Sequence, residues 1–294
     1  MNYLSVSASA KKWNISERMV RNYCSQGRIP GAFLTGKTWN IPSNSIKPKR
    51  ETKPFCDNKL LSILKEQKDS KLSGGIYHKI QIELTYNSNH IEGSTLTHDQ
   101  TRYIFETNTI GVDGTVNVDD IVETSNHFKC IDYIIDNALK SLSETLIKDL
   151  HFILKNGTSD SRKSWFNVGE YKQLPNEVGG EPTCLPKNVK TEMKKLLSAY
   201  NNIKQKSLEQ IIEFHKNFES IHPFHDGNGR IGRLLIFKEC LANNIVPFII
   251  DEEHNFFYYR GLKEWKNEKG FLTDTCLSCQ DKFKMWLDYF KIEY

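Results

Sequence analysis

The stretch His222-Pro-Phe-His-Asp-Gly-Asn-Gly-Arg-Ile-Gly-Arg233 gathers a base, an acid and two arginines around a glycine-rich turn. An imidazole titrates near neutrality, so His222 can take the proton of an incoming hydroxyl. Asp226 offers a hard oxygen of the kind that holds Mg²⁺ against phosphate oxygens while the remaining positions stay hydrated. Gly227, Asn228 and Gly229 tolerate positive φ, which lets successive backbone N–H groups point into one concavity. A helix opening at about Arg230 would add its dipole and turn that concavity into an anion site. Arg230 and Arg233 are three apart, on one side of the first turn, and suit two phosphates of a polyphosphate. Phe224 is apolar in a polar run and is expected to anchor the loop in the core. Together these groups place a base and a metal-holding carboxylate beside a polyphosphate site.

Helices must carry this loop. Leu208 to Ile221 is amphipathic and Pro223 stops it, leaving His222 at its end. Apolar residues recur at helical spacing in 58–69, 76–91, 119–139, 144–155, 187–200, 230–242 and 281–291, and Thr97-x-x-Gln100 reads as a capping box. Between 156 and 186 glycines and prolines break the pattern, and Trp165 to Gly180 is expected to form a short hairpin. The predicted fold is mainly α, an orthogonal helical array with a small β-hairpin flap.

The net charge of +4 is uneven. Residues 1–50 hold nine lysines and arginines against Glu17 alone, so residues 51–294 are net negative. Local basicity of that size points to a polyanionic partner. In the head, Ser5 or Ser7 opens a short helix through Trp13, Asn14 turns the chain, and Ser16 caps a second helix that Gly27 ends. Residues 32–41 alternate around Gly36 like a hairpin wing. Residues 1–47 resemble a winged helix-turn-helix of the MerR/excisionase type, which implies DNA contact through Arg18, Arg21 and Lys37. Residues 48–54 read as a linker and 55–294 as the body. Gly31-x-x-x-x-Gly36-Lys37-Thr38 satisfies the P-loop string, but Trp39-Asn40-Ile41-Pro42 follows where a helix would have to start, so no phosphate cradle is expected.

The loop resembles the signature of the Fic family, H-P-F-x-D/E-G-N-G-R-x-x-R, with every defined position present. Asn126-His127, Gly169-Glu-Tyr-Lys172 and Tyr258-Tyr259-x-x-Leu262 resemble the family's accompanying motifs, and the likeness covers roughly residues 76–265. It implies a Fic-type domain that uses ATP with Mg²⁺ and moves AMP to a Tyr, Thr or Ser of a protein, itself included. It assigns His222 as base, Asp226 to the metal, and Gly227, Asn228, Gly229, Arg230 and Arg233 to the nucleotide, with Tyr258 and Tyr259 beside it. Ser88-Asn-His-Ile-Glu92-Gly93, closing the helical segment 76–93, resembles the family's inhibitory motif. It implies that Glu92 pairs with Arg233 while Ser88 steadies the helix end, and that Glu92 also serves removal of AMP in some relatives. The competing reading is a DNA-binding regulator whose Fic domain senses nucleotide. A toxin with a separate antitoxin fits poorly with a brake inside the chain.

No apolar run nears the roughly 18 residues of a membrane span, and Met1 to Ala10 lack a signal-peptide pattern, so no membrane partner and a cytoplasmic location are expected. Seven scattered cysteines argue against a disulfide framework. Cys276-x-x-Cys279 is read as two half-buried or surface thiols rather than half of a zinc site. Monomer and homodimer both remain open.

Overall fold

The computed structural model describes residues 2–25, 27–48, 58–112 and 114–294. The expected linker 48–54 lies outside them except for Pro48. In the head, β1 (Tyr3–Leu4) leads into α1 (Val6–Trp13), α2 (Glu17–Ser25), β2 (Phe33–Thr35) and β3 (Thr38–Pro42), with sheet order β1-β3-β2. Ser5 caps α1 by accepting from Ala8 N, and Ser16 accepts from Met19 N. Val6, Ala10, Trp13, Val20, Tyr23 and Ile41 form a core of their own. Gly36 and Lys37 turn β2 into β3, so the P-loop string lies in a hairpin with no helix after it. Two-residue β1 is too short to leave a periodic signal.

The body continues through α3 (Lys59–Ser70), α4 (Ile76–Ile91), α5 (His98–Thr107), α6 (Val118–Asp136) and α7 (Glu144–Lys155). After a 3₁₀ turn at Asp160–Arg162 come β4 (Glu177–Val178) and β5 (Glu181–Pro182), then α8 (Pro186–Asn201), α9 (Leu208–Ile221), α10 (Asn228–Ala242), α11 (Glu252–Lys263) and α12 (Gly270–Tyr289). Among the described residues twelve α-helices carry the fold, and it is mainly α with a two-stranded flap. Capping boxes at Thr97/Gln100 and Ser207/Gln210 fix the starts of α5 and α9.

Helix α10 is the central rod, with Ile231, Leu234, Leu235, Phe237 and Cys240 fully buried against α6, α9 and α4. Its buried Lys238 is satisfied by the carbonyls of Ala138 and Lys140 and by Glu239.

Three boundaries differ from expectation. The flap hairpin is Glu177–Pro182, later than Trp165–Gly180, because Gly179 and Gly180 supply the two positive φ angles (58° and 82°) that a two-residue hairpin turn needs. α10 opens at Asn228, two residues before Arg230, with Gly227 at φ 80° as its N-cap. α12 starts at Gly270, eleven residues before the expected 281. Its early turns face the core with Thr273 and Thr275, whose hydroxyls bond back to Lys269 O and Phe271 O, so polar letters occupy buried positions.

Candidate active site

The end of α9 positions His222, the expected base. His222 is its C-cap in the left-handed region (φ 51°, ψ 64°), its N–H bonded to Phe218 O. A non-glycine residue held there is a mark of a constrained site. Burial, then the nearby Lys172 charge, lowers the His222 pKa to about 4, opposed by the ring's hydrogen bond to the Glu219 backbone carbonyl. The ring is therefore a neutral base at physiological pH, and it stays partly exposed.

The loop is clamped from below. Phe224 is fully buried and stacks on His151 with centroids 4.0 Å apart and planes 2° from parallel. Gly169 N donates to His151 Nδ1 (2.8 Å), so Nε2 carries the proton and donates to Asp226 O (3.2 Å). Burial pushes this histidine down to about 3, which keeps it neutral and lets it both accept and donate. Asn228 accepts from Phe224 N (2.8 Å) and donates to Phe224 O (2.9 Å), closing the turn. Its side chain is thus occupied, and only its backbone faces the expected anion site. Gly227 alone of the three turn residues has positive φ, a correction to the expectation that all three would use it. Gly229 is needed for a different reason: a Cβ there would overlap the Glu92 carboxylate and come 3.0 Å from Arg233 Nη1.

The two arginines diverge instead of sharing one side. Arg230, 4% exposed, pairs with Glu123 of α6 and with Asp226 Oδ2 (3.1 Å). Arg233, 5% exposed, donates from Nε to Ser88 Oγ (3.0 Å) and from Nη2 to Ser88 O (2.8 Å) and Glu92 Oε1 (2.7 Å). Ser88 therefore touches the guanidinium directly, beyond the expected role of steadying the end of α4. Burial opposes the Arg233 charge, but Glu92 reverses that and holds its pKa above the ordinary value.

Tyr258 and Tyr259 part ways. Tyr258 is 1% exposed with its hydroxyl on His215 Nε2 (2.7 Å), which removes it from any nucleotide pocket, whereas Tyr259 is 44% exposed. The flap is rooted in the loop: Lys172 N donates to Pro223 O (2.8 Å), and Lys172 Nζ reaches Asn176 Oδ1 and Thr183 Oγ1 (both 2.6 Å). Asn176 donates to Phe224 O (2.9 Å), and Gln173 N donates to His225 Nε2 (3.1 Å). Burial lowers Lys172 to about 8.

Asp226 sits on the other side of the loop, its side chain 45% exposed. Burial raises its pKa, but Arg230 and Lys155 more than reverse this and hold it well below the usual carboxylate range. It lines a cavity of about 340 Å³ with Asp160, Trp165, Phe166, Leu174 and His225. An exposed, ionised carboxylate with a second acid across the cavity is a donor set that fits Mg²⁺, which usually takes one or two carboxylates plus water and phosphate.

His151, Glu123, Lys155 and Glu219 are the site residues that sequence reasoning missed. A lone histidine on the apolar face of α7 reads as core, and nothing local marks the three charged residues. Asn126, from the recognised pair, donates to Leu154 O (3.1 Å) and Asn156 O (2.8 Å), and His127 meets Thr85 Oγ1 (2.9 Å), so both are structural. Cys276 and Cys279 are both 1% exposed, not half-buried or surface thiols, and burial raises both. Asp251, His254 and Cys279 lie within 4.8 Å of one another, but Asp251 already caps α11 and pairs with Lys282 (2.6 Å). In the head, Arg18 pairs with Asp281 of α12, Arg21 with Glu17 (2.7 Å), and Lys37 is exposed on the wing.

A helical array with a hairpin flap beside a His-to-Arg loop at the start of a buried helix is the Fic fold. Residues 141–239 match the family described as Fic/DOC. The chain is 32% identical over 188 residues to the protein adenylyltransferase Fic of Aedes aegypti, a match covering 60% of this chain and 36% of that protein. It thus spans about a third of the length of the curated relatives it matches. A Fic domain containing signaling protein from Bacteroides thetaiotaomicron superposes with a TM-score of 0.58 at 27% identity, covering 78% of this chain and 90% of that one. Residues 134–508 of Fic-1 from C. elegans superpose with a TM-score of 0.61 at 19% identity, covering 80% and 73%, a likeness of fold alone. Among the described residues no helix is long and apolar enough to cross a membrane.

Proposed function

We propose that the chain moves the AMP portion of ATP onto a Tyr, Thr or Ser hydroxyl of a protein, itself included, and that Glu92 keeps it nearly silent at rest. The observation that carries this reading is the place of the Glu92 carboxylate. It lies on the first turn of α10, against Gly229 and paired with Arg233, where a helix N-terminus and a guanidinium would otherwise receive a phosphate. In the released state His222 Nε2 takes the proton of the acceptor hydroxyl. The hydroxyl oxygen bonds to the α-phosphorus, the bond from that phosphorus to the β-phosphate oxygen breaks, and pyrophosphate leaves. The backbone of Gly227 to Gly229, with Arg230 and Arg233, balances the charge that builds on the phosphates. Asp226 would hold Mg²⁺, which would supply neutralisation of phosphate and leaving-group charge. Tyr259 is the member of the tyrosine pair exposed enough to line the nucleotide pocket.

Glu92→Gly should raise self-modification with ATP and Mg²⁺ by at least about tenfold, the worth of one charge-assisted contact of about 1.4 kcal/mol. Intact-mass spectrometry reads the added AMP. A Glu92→Gly protein that gains no more than wild type would overturn the brake. His222→Ala in that background should abolish transfer and leave ATP binding largely intact; loss of binding as well would make His222 structural. We also propose that residues 1–47 contact DNA through Arg18, Arg21 and Lys37, a reading supported by the basic head and its two-helix-and-hairpin arrangement.

A further inference from the structure

Lys155 closes α7 and is 2% exposed, yet it has no role in the chemistry above. An ammonium has three donors, and here each meets a different carboxylate: Glu123 of α6, Asp160 Oδ2 (3.0 Å) and Asp226 Oδ2 (2.6 Å). Its head lies 5.5 Å over the Phe166 ring, and its Cδ would be 3.8 Å from any Cβ at Gly227, so the stem is held directly beneath the active loop. Arg230 supplies the second cation, to Glu123 and Asp226. Three acids thus face three cations, since the half-exposed Lys163 also pairs with Asp160 Oδ1 (2.5 Å). Without Lys155 the same three carboxylates would keep only Arg230, on Glu123 and Asp226, and the solvent-facing Lys163, on Asp160, with no buried cation shared by all three, an acidic oxygen cage of the kind that takes a hard dication.

We propose that Lys155 is a tethered internal cation that holds Asp226 in its ligating pose and competes with the divalent ion for the same carboxylate oxygen. It is a positioning residue, acting through Asp226. The inference rests on the reading of Asp226 as the metal ligand. While the ammonium is on Asp226 Oδ2, a metal shares or displaces it, so metal uptake without nucleotide is weak. ATP brings phosphate oxygens that add ligands and shift the balance toward the metal. Lys155 thereby ties metal occupancy to nucleotide occupancy.

The test is Mn²⁺ binding to the full chain without nucleotide, followed by electron paramagnetic resonance of free Mn²⁺. Lys155→Met keeps the volume and removes the charge, and it should bind Mn²⁺ at least about tenfold more tightly than wild type. Lys155→Gln, neutral but still able to donate to two carboxylates, should do the same and carries the test if the Met variant fails to fold. Lys155→Arg, which keeps the charge, should stay near wild type. Folded Met or Gln variants that bind Mn²⁺ within about twofold of wild type would overturn the proposal. Asp226→Asn, added to the Lys155→Gln variant, separates the two readings. It should abolish the gain. Tight binding that survives it would show a cage that works without Asp226, and the reading of Asp226 would fall instead.

Discussion

Glu219 illustrates how one side chain ties the site to pH. It lies on α9 four residues after His215, and a Cβ at Gly232 would overlap its carboxylate. Burial raises its pKa to about 8, against the pull of Arg233 and with a further push from Glu92. An unfolded chain releases that proton near 4.5, so between about 4.5 and 8 the folded state binds the extra proton and stability falls as pH rises. His127, His151, His215 and His222 act the other way. Burial lowers them to about 3 or 4, so the unfolded state takes up their protons first and stability rises with pH up to about 6.5. Wild-type melting temperature should therefore peak at about pH 7, where the four histidine terms have fallen to the size of the single Glu219 term. Glu219→Gln should remove the decline toward pH 8 and steepen the rise on the acid side, where Glu219 opposes the histidines from about pH 4.5 upward. Melts of the two proteins from pH 5 to 8 that run parallel would show that Glu219 titrates normally.

At the scale of elements, the contact between the end of α4 and α10 seats Glu92 on Arg233, the pair on which the proposed brake rests. Gly229 is helical with ordinary φ, so its only need for glycine is the Glu92 carboxylate lying against it. In an open helix, Ala exceeds Gly by about 1 kcal/mol. Gly229→Ala should therefore destabilise the wild-type chain, where Glu92 or Arg233 must move, and should stabilise the Glu92→Gly chain by several tenths of a kcal/mol or more. Thermal melts of the four proteins give the coupling, and equal effects in both backgrounds would mean that Glu92 does not rest on the α10 turn. The loop, the base and the carrier helix were legible because twelve contiguous residues hold them. α9 was legible to the residue, since Ser207 and Pro223 bracket one apolar stripe. The start of α12 was hidden because threonines stand at its buried positions.

For the whole molecule, the head and the body meet through Arg18 and Asp281. Both side chains are substantially exposed, so the pair should contribute well under about 1 kcal/mol and yield readily to a stronger polyanion. If the head reads DNA through Arg18, Asp281→Ala should tighten duplex binding while shifting the melting temperature little. The Arg18→Ala/Arg21→Ala variant should weaken binding and flatten its dependence on salt. Gel shifts at two salt concentrations check both, and unchanged affinity in the Asp281→Ala protein would separate the head contact from DNA binding.

The sequence by itself determined the local chemistry: the residue types of the loop, the helices that bracket it, the Ser88-to-Glu92 spacing and the basic head. Such features repeat or adjoin along the chain, so spacing alone reveals them. The tertiary structure decided which partners the charged groups take. Arg230 and Arg233, three apart on one helix, turn to different acids because Glu123 and Glu92 arrive from different helices. Tyr258 turns into the core and Tyr259 outward, although they are neighbours. Lys155 meets Glu123, Asp160 and Asp226 because α6, α7 and the active loop converge there. A buried charge must find its counter-charge wherever packing brings one, and the partners that packing brings lie far away in sequence.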